Sequence, residues 1–327
     1  MFAAVIHETG GPEVLTYEEL PDPTPSAHEL LIDVVAISLE GGDLLHRQGA
    51  SRAPVPGGTH VVGYQCAGIV TEVGAAVEGF AVGDRVTTVG LDGSHATKRA
   101  VLAAATWKVP EALSLEDAAA VPVPFGTAHD GLFEFGRLQA GETVLIQAGA
   151  SGVGIAAIQL AAQAGARVLA TASSPQRLEP LYALGLDEGI DYVASAFPDV
   201  VRQLTEGRGV DLVLDTVGGP VLAGSLASLA YRGRCVSIGD AGRHGGDLQD
   251  LSVLRGQNQT LIGYFMGAEL FMSPRVHGVV ADCLDALAAG TLQVVLDRRF
   301  PLAEAAAAHA YVESRQAIGR VLLVPET

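Results

Sequence analysis

The segment Val144-Leu145-Ile146-Gln147-Ala148-Gly149-Ala150-Ser151-Gly152-Val153-Gly154 decides the fold of this chain. An apolar run reads as a buried strand, a turn of small residues follows, and the Ala-rich stretch 152–164 reads as a helix. Glycine permits a tight turn and lets backbone N–H groups approach an anion at the positive end of a helix. A hydrolase nucleophile elbow is excluded, because Gly-x-Ser-x-Gly needs glycine where Val153 stands. Two readings remain: a phosphate cradle, or a surface turn that happens to precede a helix.

The surrounding rhythm favours the cradle. Residues 143–147 and 167–172 read as strands, 176–184 as a helix, and strand cores recur at 212–214, 235–238 and 261–264. Strands alternating with helices predict an α/β fold with a Rossmann domain, a doubly wound parallel sheet covered on both faces. Upstream, residues 3–7, 29–36, 68–73 and 85–89 are short strands between Gly and Pro clusters, the texture of a β-barrel-like domain. The tail adds a helix at 276–289 and a strand-turn-helix-strand pattern ending at 321–324.

Which dinucleotide the cradle suits depends on the end of the second strand. An NAD enzyme places a carboxylate there for the ribose 2′-OH. This chain reads Thr171-Ala172-Ser173-Ser174-Pro175-Gln176-Arg177, with no carboxylate. A carboxylate repels a 2′-phosphate, whereas hydroxyls and a guanidinium bind it. Ser173 and Arg177 are therefore the expected NADP discriminators. The plainer reading is a helix-capping serine beside a solvated arginine.

Charge narrows the partners. The 37 acidic residues outnumber 20 basic ones, giving a net charge of −17, a field that repels nucleic acid and anionic membranes. No apolar run nears the roughly 18 residues of a membrane span, and Glu8 falls where a signal peptide stays apolar. Cys66, Cys235 and Cys283 are odd in number and widely spaced, which argues against a disulfide framework. A cytoplasmic protein is expected.

In chain order, Gly10-Gly11-Pro12-Glu13-Val14-Leu15, Gly63-Tyr64-Gln65-Cys66-Ala67-Gly68, Gly83-Asp84-Arg85-Val86, Gly126-Thr127-Ala128, the loop at 144–154 and Asp215-Thr216-Val217-Gly218-Gly219 form a consistent series. Phe300-Pro301-Leu302, Ala308-His309 and Gly319-Arg320 close it. Together they resemble the medium-chain dehydrogenase/reductases, in their quinone oxidoreductase branch. The resemblance implies a GroES-like β-barrel catalytic domain from residues 1–120 and 265–327, a Rossmann NADP-binding domain over 121–264, and an active site in the cleft. It implies NADPH as cofactor, held by Thr127, Ala150, Ser151, Gly152, Val153, Ser173, Arg177, Tyr192, Val217, Gly218, Ile238 and Phe265.

Departures from the family are as informative. Zinc-dependent members carry a cysteine near position 38 and Gly-His-Glu near 63, where this chain has Ser38 and Gly63-Tyr64-Gln65. Residues 90–100 lack the cysteines of a structural zinc lobe. No metal is expected, since zinc needs three or four converging N, S or carboxylate ligands. Some other group must then stabilise or protonate the substrate. The family frame offers Tyr64, Glu40 and His129; read blandly, these are a packing ring, a solvated carboxylate and a satisfied buried histidine. Asp43, Arg47 and Gly49 preserve a family Asp-x-x-x-Arg-x-Gly, with Arg47 either structural or cleft-lining.

The implied activity is hydride transfer from NADPH to a small conjugated acceptor, a quinone or an α,β-unsaturated carbonyl. The alternatives are an enoyl-thioester reductase, for which the low Lys and Arg count gives no basic mouth, and an NADPH-binding protein with little turnover in a structural or sensing role. Residues 260–266, Thr-Leu-Ile-Gly-Tyr-Phe-Met, are uncharged and late in the sheet. An open apolar edge of this kind predicts a homodimer joined across it.

Overall fold

The computed structural model describes residues 1–49, 58–242 and 250–326. The chain divides into two units: Met1–Val123 with Leu270–Thr327, and Pro124–Glu269. The sequence placed these breaks at 120/121 and 264/265. Each falls instead within a helix: Pro122–His129 spans the first break, and Met266–Met272 spans the second. Met266 is held within the second unit, its Sδ accepting from the Thr127 hydroxyl at 3.5 Å.

The second unit is built on six parallel strands in the spatial order Glu188–Asp191, Arg167–Ala172, Thr143–Ile146, Val210–Asp215, Leu229–Ser237 and Thr260–Gly263. This is the doubly wound arrangement, with its topological switch between Thr143–Ile146 and Val210–Asp215. Strands covered by helices on both faces need continuous apolar sequence, and Thr143–Ile146 is buried at all four positions. Leu145, Leu169, Val213 and Cys235 join Val201 and Leu226 in one core cluster.

The first unit takes its largest sheet from both ends of the chain. Its path runs Leu296–Pro301, Arg320–Val324, Glu29–Ser38, Gln65–Val73, Arg85–Val89 and Thr106–Lys108, with Lys98–Leu102 also paired to Glu29–Ser38. All pairs are antiparallel except the first. Register shifts between Leu31 and Ile32 and between Val34 and Ala36 bend the long strand. Gly68 makes the bend possible, since a Cβ there would lie 2.1 Å from the Asp33 carbonyl oxygen. The core beneath joins Ile6, Leu30, Ile32 and Val86 with Leu302 and Leu323. A smaller antiparallel sheet holds Thr16–Glu19, Phe2–Ile6 and His60–Val61. Cys66, Cys235 and Cys283 are buried and form no disulfide. Among the described residues no helix is long and apolar enough to cross a membrane.

Candidate active site

In the second unit the turn after Thr143–Ile146 is fixed before the helix begins. Gln147 is buried, its Nε2 donating to Ser225 Oγ at 3.1 Å and its Oε1 accepting from Thr171 Oγ1 at 2.7 Å. Ala148 adopts a left-handed φ of 52°, and Gly149 N–H donates to the Thr171 carbonyl at 2.8 Å. A Cβ on Gly149 would sit 2.7 Å from Ala170 Cβ, and one on Gly154 would sit 2.4 Å from the Ala148 carbonyl oxygen. The glycines thus bring the turn against its neighbours. Ser151 caps the helix Gly152–Gln163, its Oγ accepting from Gly154 N–H at 3.0 Å. The N–H groups of Gly152 and Val153 have no partner within the helix, so this end is a ready anion site.

Every strand of the sheet delivers an expected cofactor residue at its carboxyl end. Thr143–Ile146 leads to Ala150, Ser151, Gly152 and Val153; Arg167–Ala172 to Ser173 and Arg177; Glu188–Asp191 to Tyr192. Val210–Asp215 leads to Val217 and Gly218, Leu229–Ser237 to Ile238, and Thr260–Gly263 to Phe265. Ligands of open α/β sheets bind outside these ends. Asp215 Oδ1 organises one of them, accepting from the N–H groups of Val217 at 2.8 Å and Gly218 at 2.9 Å. Tyr192 N–H donates to the Ala172 carbonyl at 3.1 Å, which sets it beside Ser173. The helix Pro175–Tyr182 is capped by Ser174 in an extended conformation, without a side-chain cap bond. Ser173 therefore lies outside the helix and is not its cap. A depression of about 650 Å³ opens at the last two strands, bounded by Phe135, Ile238, Asp240, Tyr264 and Phe265.

The first unit gathers a buried polar cluster around the helix Gly41–Arg47. Glu40 caps this helix reciprocally with Asp43, whose Oδ2 accepts from Glu40 N–H at 2.8 Å. Asp43 Oδ1 takes Tyr64 N–H at 3.1 Å. Arg320 pairs with the Glu40 carboxylate and donates to Ser38 Oγ from Nε at 3.0 Å. Gln65 donates to Glu40 and accepts from Val123 N–H at 3.0 Å. Glu40 is therefore neither solvated nor open but paired and buried. Burial pushes Glu40 up to about 7 against the pull of Arg320. Burial, then the Glu40 charge, pushes Asp43 up to about 8. Burial and the nearby carboxylates of Asp43, Glu40 and Asp92 push the Tyr64 phenol up to about 12. Tyr64 is clamped, its carbonyl taking Arg99 Nη1 at 3.0 Å and its ring lying where a Cβ on Gly42 would be 2.2 Å from Cε2.

Arg47 is fully buried at the other end of that helix. Its Nε donates to the Gly10 carbonyl at 3.2 Å, its Nη1 meets His309 Nδ1 at 3.3 Å and its Nη2 pairs with Glu313. His309 in turn meets His95, Nε2 to Nε2, at 3.0 Å. This network holds structure together; spacing alone gave no sign of it, because its members are up to 266 positions apart. The remaining candidate, His129, lies in the second unit with its Nδ1 3.6 Å from Asp130 Oδ1.

Comparison with known proteins agrees with this architecture. Residues 26–111 match the alcohol dehydrogenase GroES-like domain, and residues 184–323 match a zinc-binding dehydrogenase domain. The chain is 35% identical over 332 residues to a 2-haloacrylate reductase of a Burkholderia species, covering 100% of this chain and 99% of that protein. A mycobacterial quinone oxidoreductase superposes with a TM-score of 0.87 at 33% identity, covering 99% of this chain and 100% of that one. The Escherichia coli quinone oxidoreductase complexed with NADPH gives 0.94 at 27% identity, with the same coverage. A doubly wound nucleotide domain joined to a GroES-like domain defines a dehydrogenase/reductase. The chain belongs to the medium-chain dehydrogenase/reductase family, in its quinone oxidoreductase branch.

A zinc ion, which the second domain model's description implies, does not fit the donors present. Ser38 Oγ is taken by Arg320, Gln65 is engaged at both ends, and a guanidinium lies among them. Zinc is held by thiolates, imidazoles and carboxylates, not by hydroxyl and amide groups facing a cation. A dinucleotide fits better: the close approach at Gly149 and Gly154 and the open N–H groups at Gly152 make the kind of cradle a pyrophosphate needs.

Proposed function

We propose that this protein is a zinc-independent, NADPH-dependent reductase of conjugated acceptors, quinones or α,β-unsaturated carbonyl compounds. The carrying observation is the carboxyl edge of the parallel sheet, where a helix N-terminus stands beside Ser173 and Arg177 in place of a carboxylate. The name of the Burkholderia relative supports the acceptor class, since a 2-haloacrylate is an alkene conjugated to a carboxyl group. The NADPH complex of the Escherichia coli relative supports the cofactor.

When bound, NADPH supplies a hydride. The protein supplies alignment and excludes water. The Gly152 and Val153 N–H groups would hold the pyrophosphate, and Ser173 and Arg177 the 2′-phosphate. Thr127, Val217, Gly218, Ile238 and Phe265 would be the remaining cofactor-binding residues. Tyr64, with its phenol pushed up to about 12, stays protonated throughout the neutral range. NADPH oxidation against a panel of quinones and enones tests the reading. Turnover with either class supports it; tight NADPH binding without turnover on any acceptor replaces it with a binding or sensing role.

A further inference from the structure

We infer that His129, backed by Asp130 and Tyr264, is the proton donor to the reduced acceptor, an assignment that rests on the reductase reading above. The helix Pro122–His129 does not end at His129 but widens into a π turn, Asp130–Glu134, closed by Phe135 N–H donating to the Asp130 carbonyl at 2.9 Å. Consecutive residues of a regular α-helix do not face each other. At the start of this turn His129 Nδ1 and Asp130 Oδ1 nonetheless lie 3.6 Å apart, and π bulges of this kind are frequent at functional sites.

Three features make this a dyad with a direction. Asp130 is fully buried, and its other oxygen, Oδ2, accepts from the Tyr264 hydroxyl at 3.1 Å. His129 Nδ1 is buried and faces Asp130 without a hydrogen bond, so the ring's 32% exposure lies on its remaining edge. The Phe133 ring packs edge-on at 5.0 Å and fixes the imidazole plane. On the Nδ1 side stand Asp130, from the adjoining turn, and behind it Tyr264, from the segment after Thr260–Gly263. The separation of 3.6 Å closes to a hydrogen bond when Nδ1 is protonated; catalytic hydrogen bonds are often long before substrate arrives.

The position suits the chemistry. A Cβ on Gly131 would lie 2.5 Å from Leu214 Cδ1 and 3.8 Å from Ile238 Cγ2, so this turn rests on the carboxyl ends of two strands. Thr127, one turn earlier, touches Met266, and Tyr264 and Phe135, ring centroids 4.8 Å apart, border the depression at the sheet edge.

The proposed step balances simply. Hydride arrival at the β-carbon leaves an enolate. The Nε2–H bond of the imidazolium breaks, and the enolate's electron pair forms a C–H bond at the α-carbon. In a quinone the same proton goes to oxygen. The ring is left neutral with Nδ1–H toward Asp130, and solvent at the exposed edge returns the proton.

The test combines a cofactor-free and a catalytic readout on the full chain. Nitrogen NMR of labelled protein, with the His129 signals assigned from His129→Gln, follows the ring through pH with no cofactor present. Asp130→Asn should shift the Nδ1 signal, because the carboxylate facing that nitrogen is lost. With NADPH and an active acceptor, kcat/KM should fall toward alkaline pH as the donor loses its proton. His129→Gln should cost about 100- to 10,000-fold in kcat/KM and abolish that alkaline limb, leaving the NADPH dissociation constant unchanged. A limb that persists in His129→Gln overturns the inference, as does an Nδ1 signal indifferent to Asp130→Asn. If Asp130→Asn does not fold, the His129→Gln profile alone decides. A wild-type protein inactive on every acceptor instead removes the reductase reading.

Discussion

In the function proposed above, cofactor choice falls to Ser173 and Arg177, just past the strand Arg167–Ala172. Two charge-assisted hydrogen bonds to a 2′-phosphate supply about 2–4 kcal/mol together, or about 30- to 1,000-fold in affinity. Calorimetric titration should therefore show tighter binding of NADPH than NADH, and Arg177→Ala should narrow the gap; equal or tighter NADH binding removes the assignment. The displaced metal chemistry is equally local. With Ser38 and Gln65 committed to Arg320 and Glu40, protein purified without added metal should contain no stoichiometric zinc, and chelator should leave turnover unchanged. About one zinc per chain, lost together with activity, would contradict this. These residues were singled out in the sequence because each lies within a short motif. Asp130 was not, since neighbours on a helix normally diverge and nothing in the string of letters announces a π turn.

The helix Gly41–Arg47 carries a pH-dependent element of the first unit. Asp43 and Glu40, raised to about 8 and 7, keep protons in the folded protein that the unfolded chain releases from about pH 4 upward. Their contribution to stability is full below that pH and is lost as pH rises toward 8. Burial depresses His95 to about 3, and burial with the neighbouring His95 and Arg47 carries His309 well below its ordinary value. Their contribution is full above about pH 6.5 and is lost as pH falls. The two trends oppose each other in acid. Between pH 6.5 and 8 only the carboxylate trend remains, and one unmatched proton changes stability by about 1.4 kcal/mol per pH unit. Thermal melts should show Tm falling across that interval. Asp43→Asn, though less stable overall for want of one acceptor, should flatten the fall; an equally steep fall in the variant would rule out this origin. The strands and helices named from apolar periodicity and turn residues are present with ends moved by a residue or a few, whereas Glu188–Asp191, Phe197–Leu204 and Gly219–Ala227 were not named. The Glu40–Arg320 pair was not readable, because no local pattern links residues 280 positions apart.

At the scale of the whole molecule, Thr260–Gly263 is the last strand of its sheet and pairs on one side only, with Leu229–Ser237. Just past it in the chain, Phe265 is exposed. An unprotected apolar edge favours a second copy, so a homodimer is expected through this strand. Sedimentation at micromolar concentration should give twice the 33.6 kDa chain mass, and Ile262→Lys should weaken the association. A single species at the chain mass, or a dimer indifferent to Ile262→Lys, would place the contact elsewhere or remove it. The discontinuous make-up of the first unit also sets an order of events during synthesis. The second unit is one uninterrupted stretch and has all its strands once residue 263 has left the ribosome. The first unit must wait for Arg320–Val324, the strand that carries the partner of Glu40 and Ser38. At about 5–20 residues per second, Glu40 precedes its guanidinium by on the order of tens of seconds. During that interval its carboxylate and that of Asp43 stay hydrated, while the second unit already has all its strands.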